Sequence, residues 1–342
     1  MIFILVSFFI LNLLLIKILF NKSNYLKLIS NPNNRNLDEY SISTVPGFVL
    51  FVTFLIISFY SFKDILNVFE YIIFITTTIM IYVIGLFDDY IKVSTFKKII
   101  IQLVLSLVVL LGINFDSVFI FPFISNFYYN LFFQVFFILG IANSINLIDG
   151  IDNLSGTISI VVSISIVFLF KFLGFTNIVF LFMIFSLLAY LFFNIFINRV
   201  FIGNSGSLLL GWIFAITSLV LMKLSNSITF PIIILIIAIP AFDVLYVMFY
   251  RFFLKKNKSI LERFKYVFIP DYFHIHHSLI ELSLRNNTIC SILGGLSILF
   301  SIISFLMLIF DFTFLNQLLI VSFFILIYFL FRFILDKNRI NS

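Results

Sequence analysis

The sequence predicts an all-α, polytopic integral membrane protein with about eleven transmembrane helices, its N-terminus outside and its C-terminus cytoplasmic. Three observations carry that prediction. Hydrophobic residues fill 63% of the 342 positions and charged residues only 11%, where a soluble domain is roughly a quarter charged. Apolar stretches long enough to cross a bilayer recur along the chain. Of the 21 Lys and Arg, all but Lys17, Lys63, Lys171 and Lys223 fall in one of two alternating sets of loops, which the positive-inside rule makes the cytoplasmic set. A water-soluble reading is excluded. The partner this composition demands is a lipid bilayer, and no nucleic acid is expected.

Residues 1–20 lack a basic leader and a small-residue cleavage site, so they read as the first membrane helix rather than a removed signal. Further stretches run over about 44–62, 70–87, 98–113, 129–147, 156–173, 177–197, 205–222, 229–250, 288–310 and 313–334. No Gly/Ser- or Pro-rich linker divides them and no repeat is visible, so residues 1–342 read as one domain. Its basic loop at about 251–287 is then cytoplasmic, which suits anionic headgroups or a phosphorylated ligand as well as a plain topology signal. The 52 Phe residues satisfy lipid as Leu or Ile would and are not read as a ligand box. Cys290, the only cysteine, closes no intrachain disulfide.

Acidic side chains at membrane helix ends cost several kcal/mol unless they have a partner or a task. Asp88 and Asp89 end the third helix, where the macrodipole already disfavours negative charge. Lys92, Lys97 and Lys98 are near enough to compensate, and a divalent ion would do so better. A metal or catalytic role and a solvated helix end stand about equal there. Asn146, Asp149 and Asp152 follow at intervals of three, which on a helix puts them on one face, fit for a base and ribose. A capped turn has the same composition. From Gly203 to Gly211 the eighth helix opens with glycines, so its backbone N–H groups, with the Ser205 and Ser207 hydroxyls, either cradle a phosphate or simply cap the helix. Asp243 lies toward the basic end of the ninth stretch. All three histidines, His274, His276 and His277, crowd into four positions. Zinc would want further Cys or His, so phosphate contact or orientation of a metal in a carboxylate site fits them better.

In this order the chain resembles the polyprenyl-phosphate N-acetylhexosamine-1-phosphate transferases of bacterial envelopes, over about residues 31–290. The resemblance lies in NPNNR at 31–35, GLFDDY at 85–90, NSINLIDGIDNL at 143–154, FN at 193–194 leading to RVFIGNSGS at 199–207, PAFD at 240–243 and DYFHIHH at 271–277. The histidine loop is similar to that of the branch transferring GlcNAc-1-phosphate in the first membrane step of an envelope polysaccharide. The phospho-N-acetylmuramoyl-pentapeptide transferases rank second, and a membrane transporter is the reading from a different class. The resemblance implies a UDP-N-acetylhexosamine and undecaprenyl phosphate as substrates and UMP as product. It further implies Mg²⁺, with Mn²⁺ as a possible substitute, a bacterial inner-membrane site facing the cytoplasm, and room for a homodimer. By similarity Asp88, Asp89 and His276 are catalytic, and Asp89, Asp152 and Asn204 hold the metal. Asn146, Asp149, Asp152, Asn194, Ser205, Ser207, His274 and His277 surround the substrate, with Phe201 stacked on uracil. Three positions depart from the family pattern: Asn204 where an Asp is usual, Asn153 where a Gly is, and Tyr272 where an Arg is.

Overall fold

The computed structural model describes residues 2–31, 41–254, 259–260, 262–263 and 273–340. Among these the chain forms thirteen helices and one short ribbon. The helices are α1 (Ile2–Phe20), α2 (Val45–Phe62), α3 (Val68–Ile91), α4 (Thr95–Ile113), α5 (Phe127–Ile148), α6 (Leu154–Phe172) and α7 (Ile178–Phe196). They continue as α8 (Gly203–Leu224), α9 (Phe230–Ile236), α10 (Ala238–Leu254), α11 (Ile275–Glu281), α12 (Asn286–Ile309) and α13 (Phe314–Ile340). The ribbon pairs β1 (Ile29–Ser30) antiparallel with β2 (Ile42–Ser43), Ile29 opposite Ser43. Residues 32–35 of the NPNNR motif, Tyr272, and Lys255, Lys256, Lys258 and Lys265 of the basic loop lie outside the described residues.

Among the described residues ten helices are long and apolar enough to cross a membrane, and the bent pair α9–α10 makes an eleventh when counted as one broken span. The expected stretch at 229–250 is therefore two helices and not one, meeting at 95°. Pro240 explains the break. It has no N–H to give the carbonyl of Ile236, and its ring collides with that carbonyl, so a helix coming from Phe230 has to end there. The kink rests on α12, whose Ser304 hydroxyl donates to the Ile232 carbonyl at 2.9 Å.

The bundle is organised around α8, whose span is 89% buried, against 17% each for α1 and α13 at the periphery. With no hydrophobic effect between helices in lipid, close packing depends on small residues at the crossings. A Cβ on Gly47 of α2 would fall 2.4 Å from the Ile202 carbonyl oxygen, and one on Gly85 of α3 would fall 2.4 Å from Ser205 Cα. On α8 itself, a Cβ at Gly211 would fall 2.7 Å from Ala142 Cα of α5. These crossings lay the last turn of α3 and the end of α5 against the first turn of α8. At the opposite end of the bundle Lys223 closes α8 onto Glu70 at 3.0 Å and the Ile113 carbonyl at 2.7 Å.

Candidate functional site

Asp88 and Asp89 sit in the last turn of α3, as expected, but successive residues of a helix point about 100° apart and the two carboxylates part company. Asp88 turns outward to α4. Its Oδ2 accepts from Lys98 Nζ at 2.9 Å and its Oδ1 from the Val93 N–H at 3.0 Å. Lys98 is thus the cation that this helix end required. Asp89 turns inward and is 1% exposed. Its Oδ1 accepts from the backbone N–H of Asn204 at 2.9 Å and from Asn204 Nδ2 at 3.0 Å, while Oδ2 accepts from the Ser205 N–H at 3.0 Å. The positive end of the α8 dipole thereby neutralises a charge that the end of α3 disfavours. One expectation changes as a result: the first amides of α8 are not free for phosphate, because Asp89 occupies them.

The α5–α6 connection also departs from expectation. Helix α5 stops at Ile148, so Asn146 lies on it while Asp149 is its C-cap and Asp152 belongs to the turn beyond. The three residues are not on one helical face. Asn153 breaks the helix by taking the left-handed conformation, φ 70°, before α6 begins. The turn nonetheless gathers most of the expected residues. Ser207 Oγ donates to Asn146 Oδ1 at 2.9 Å. The Ser155 hydroxyl donates to Asp149. Asp152 takes both its oxygens to Arg199 Nε at 3.1 Å, and the Arg199 guanidinium lies 5.1 Å over the ring of Phe201. Asn194 donates to Asn153 Oδ1 at 2.7 Å and accepts the Val200 N–H at 2.8 Å, so it ties the α7–α8 connection to the turn. Withdrawal from water pushes the Asp149 carboxyl well above its ordinary pKa; the Ser155 hydroxyl moderates this, and the charges of Asp89 and Asp152 add to it.

The histidine element is α11. Asp243 of α10, fully buried, accepts from His274 Nδ1 at 2.7 Å and from the Ile275 N–H at 3.0 Å. The carboxylate holds a proton on His274 Nδ1 and fixes the orientation of the ring. His276 is 1% exposed, and neither of its ring nitrogens has a partner among the described residues. It lies directly over the Asp149 turn. Burial, then the neighbouring His277 and His274, hold its pKa well below 6.5, so it is neutral at physiological pH. His277, the third, is only partly buried.

Asp89, Asp149, Asp152, Asn146, Asn194, Asn204, Ser207 and His276 are therefore brought to one end of the bundle around the mouth of α8, while Asp88 faces away from them. Among the described residues no three His, Cys, Asp or Glu side chains are gathered around one metal position. The donor chemistry still fits Mg²⁺. The charges of Asp89 and Asp152 add to the burial that raises Asp149, and a hard cation among the three would offset that added repulsion. Mg²⁺ is ordinarily held by one or two carboxylates with water and phosphate oxygens completing the shell, not by a closed protein cage. Sequence reasoning missed Thr44, whose buried hydroxyl has no partner among the described residues and whose methyl abuts Gly203. It also missed Tyr328 and Arg332 of α13. The position of Thr44, two residues before Pro46 at the start of α2, was the available signal for the first.

Residues 71–222, the stretch from α3 to α8, match the glycosyl transferase family 4 pattern. The chain is 30% identical over 231 residues to a Bacillus subtilis protein described as a probable undecaprenyl-phosphate N-acetylglucosaminyl 1-phosphate transferase, covering 65% of this chain and 62% of that protein. A phospho-N-acetylmuramoyl-pentapeptide-transferase of Staphylococcus saprophyticus is 41% identical over 85 residues, 24% of this chain and 26% of that one. Another, of Thermotoga maritima, is 28% identical over 149 residues, 41% of this chain and 49% of the relative. The match to the B. subtilis protein thus spans less than two thirds of that protein's length. With the helical membrane fold and the carboxylates at the mouth of α8 goes a likeness of sequence: over residues 71–222 the chain is similar to glycosyl transferase family 4.

Proposed function

We propose that this chain transfers N-acetylhexosamine-1-phosphate, with GlcNAc as the sugar, from a UDP-sugar to undecaprenyl phosphate, releasing UMP at the cytoplasmic face of a bacterial inner membrane. The observation that carries the reading is the convergence of Asp89, Asp149 and Asp152 with His276 at the mouth of α8, at the bundle end that also holds Lys92, Lys98 and Arg199. The names of the relatives supply the substrate class, and the longer match to the N-acetylglucosaminyl transferase favours GlcNAc over the muramoyl-pentapeptide.

In the reaction an oxygen of the lipid phosphate attacks the sugar-bearing phosphorus of the UDP-sugar. A P–O bond forms, the pyrophosphate P–O bond breaks, and UMP leaves with the electron pair. Such a transfer is governed by alignment and by neutralisation of oxygen charge. Asp89 is fixed by three N–H donors and keeps its carboxylate oriented at the α3–α8 junction. Asn146, anchored by Ser207, and the Asn194–Asn153 pair shape the polar wall on which the nucleotide is bound. His276, neutral and without a partner among the described residues, is placed to donate to a phosphate oxygen beside the Asp149 turn. When bound by Asp89, Asp152 and the Asn204 side-chain oxygen, Mg²⁺ supplies the positive charge that the phosphate oxygens need.

Membranes containing the protein, incubated with undecaprenyl phosphate, should yield UMP and a lipid-linked sugar from UDP-GlcNAc and not from UDP-N-acetylmuramoyl-pentapeptide. Asp89→Asn should lower that rate by about 10²- to 10³-fold. UMP formation no faster than in Asp89→Asn membranes, whichever sugar nucleotide is offered, would overturn the reading.

A further inference from the structure

The last helix of the chain reaches the histidine element. On α13, Tyr328, Arg332 and Asp336 recur every four residues and share one face. Arg332 and Asp336 are 0% and 1% exposed, on one of the most lipid-exposed helices of the bundle. Tyr328 OH donates at 2.9 Å to Asp243 Oδ1, on the carboxylate that orients His274. Arg332 Nη2 donates to the Phe273 carbonyl, just before His274, and Nη1 donates to Ser278 Oγ at 3.2 Å, just after His277. One guanidinium therefore spans both ends of the histidine run. Asp336 backs it, accepting from Ser278 Oγ at 3.1 Å and from Tyr246 OH at 2.9 Å.

Folding alone does not call for this arrangement. The desolvation cost of a buried ion pair often exceeds its attraction, and well-packed aliphatic residues in its place often stabilise a fold as well or better. What the guanidinium offers and a leucine does not is a planar fork whose donors lie at fixed angles. We propose that Tyr328, Arg332 and Asp336 are positioning residues for the transfer: they set the height and tilt of α11, so that His274 and His276 meet the Asp149 turn. Helix α13 acts on the site through α11 without touching the reacting groups. The kinetic half of this inference rests on the transferase reading, and the accessibility half does not.

The test uses the full-length protein in membranes, comparing wild type with Arg332→Gln and Tyr328→Phe. Diethyl pyrocarbonate should modify His274 and His276, resolved by peptide mass, about fivefold faster or more in each variant than in wild type, because loosened imidazoles become reachable. With UDP-GlcNAc and undecaprenyl phosphate, kcat should fall about tenfold while KM for the sugar nucleotide stays within about twofold, since Asn146 and the Asn194–Asn153 pair, which shape the nucleotide wall, do not contact α13 or α11 in the hydrogen bonds above. If wild type makes no UMP from any sugar nucleotide, the transferase reading falls and the labelling still decides the role of α13. Wild-type labelling in both variants would overturn the positioning role. So would Cys290 of α12 becoming reactive to maleimide in step with the histidines, which would mean general loosening. Should Arg332→Gln fail to accumulate, Tyr328→Phe, which removes one hydroxyl, decides alone.

Discussion

His276 sits against the backbone of Gly150: a Cβ built on that glycine would lie 2.4 Å from His276 Nε2. The absence of a side chain at position 150 is what lets α11 close on the turn carrying Asp149. Gly150→Ala should force the imidazole to retreat. Turnover in the UMP-release assay should fall by about tenfold or more while the unfolding midpoint in detergent changes little, since Gly150 itself is exposed. An unchanged rate would show that the distance between His276 and the turn is immaterial.

Asn204 stands where the family usually has an Asp, and the structure gives its amide a task. Its Nδ2 donates to Asp89 Oδ1 at 3.0 Å. In Asn204→Asp that donor becomes a second carboxylate facing the first at hydrogen-bond distance, in a buried setting. Activity should fall at every Mg²⁺ concentration, by about tenfold or more at saturation. A titration in which the variant reaches half-maximal rate at lower Mg²⁺ with an undiminished maximum would show that metal charge outweighs the lost hydrogen bond.

Acid should loosen the histidine element. A base whose folded pKa is depressed leaves the unfolded chain to bind the proton first, so its stabilising contribution is complete above 6.5 and is lost as pH falls below that value. Asp149 works in the opposite sense. Its raised pKa means the folded state protonates first, which favours folding as pH falls toward 3.8. The two separate by mutation: between about pH 7.5 and pH 5.5 the unfolding midpoint of wild type should drop more steeply than that of His276→Gln. Parallel slopes would remove His276 as the cause.

Orientation is open to direct labelling. With Cys290 replaced by alanine, a cysteine at Lys97, exposed at the start of α4, should react only from the cytoplasmic side. One at Lys63, exposed beyond the far end of α2, should react only from outside. The reverse pattern would invert the protein in the membrane and place the site outside.

The sequence showed which segments cross the membrane, because length and hydropathy are properties of a segment by itself. Eleven spans and most of their bounds followed from that alone. The exceptions have local causes. Pro240 breaks the ninth span four residues after the carbonyl it cannot satisfy, and Asn153 takes a backbone conformation that a spacing of three does not reveal. The site was legible as a set of residues but not as a set of partnerships. Asp88 and Asp89 look alike in sequence; only the crossing of α3 over α8 at Gly85 decides that Asp89 meets the α8 amides and Asp88 meets Lys98. Arg332 was counted as a topology signal because charge near a helix end usually is one. Its burial depends on α10 and α11 arriving over the same face of α13, a long-range fact with no local mark.

The bend between α9 and α10 bears on how the protein is made. A segment turned through 95° cannot lie in lipid as a straight rod, and the hydroxyl that steadies it belongs to Ser304, 72 residues further along the chain than Ile232. A ribosome that has just finished α10 has not yet produced the helix on which the bend rests. The ninth span is thus committed to waiting, straightened or shielded, until α12 is inserted. Chains halted after residue 254 should show that segment protease-sensitive in isolated membranes, and chains halted after residue 310 should show it protected.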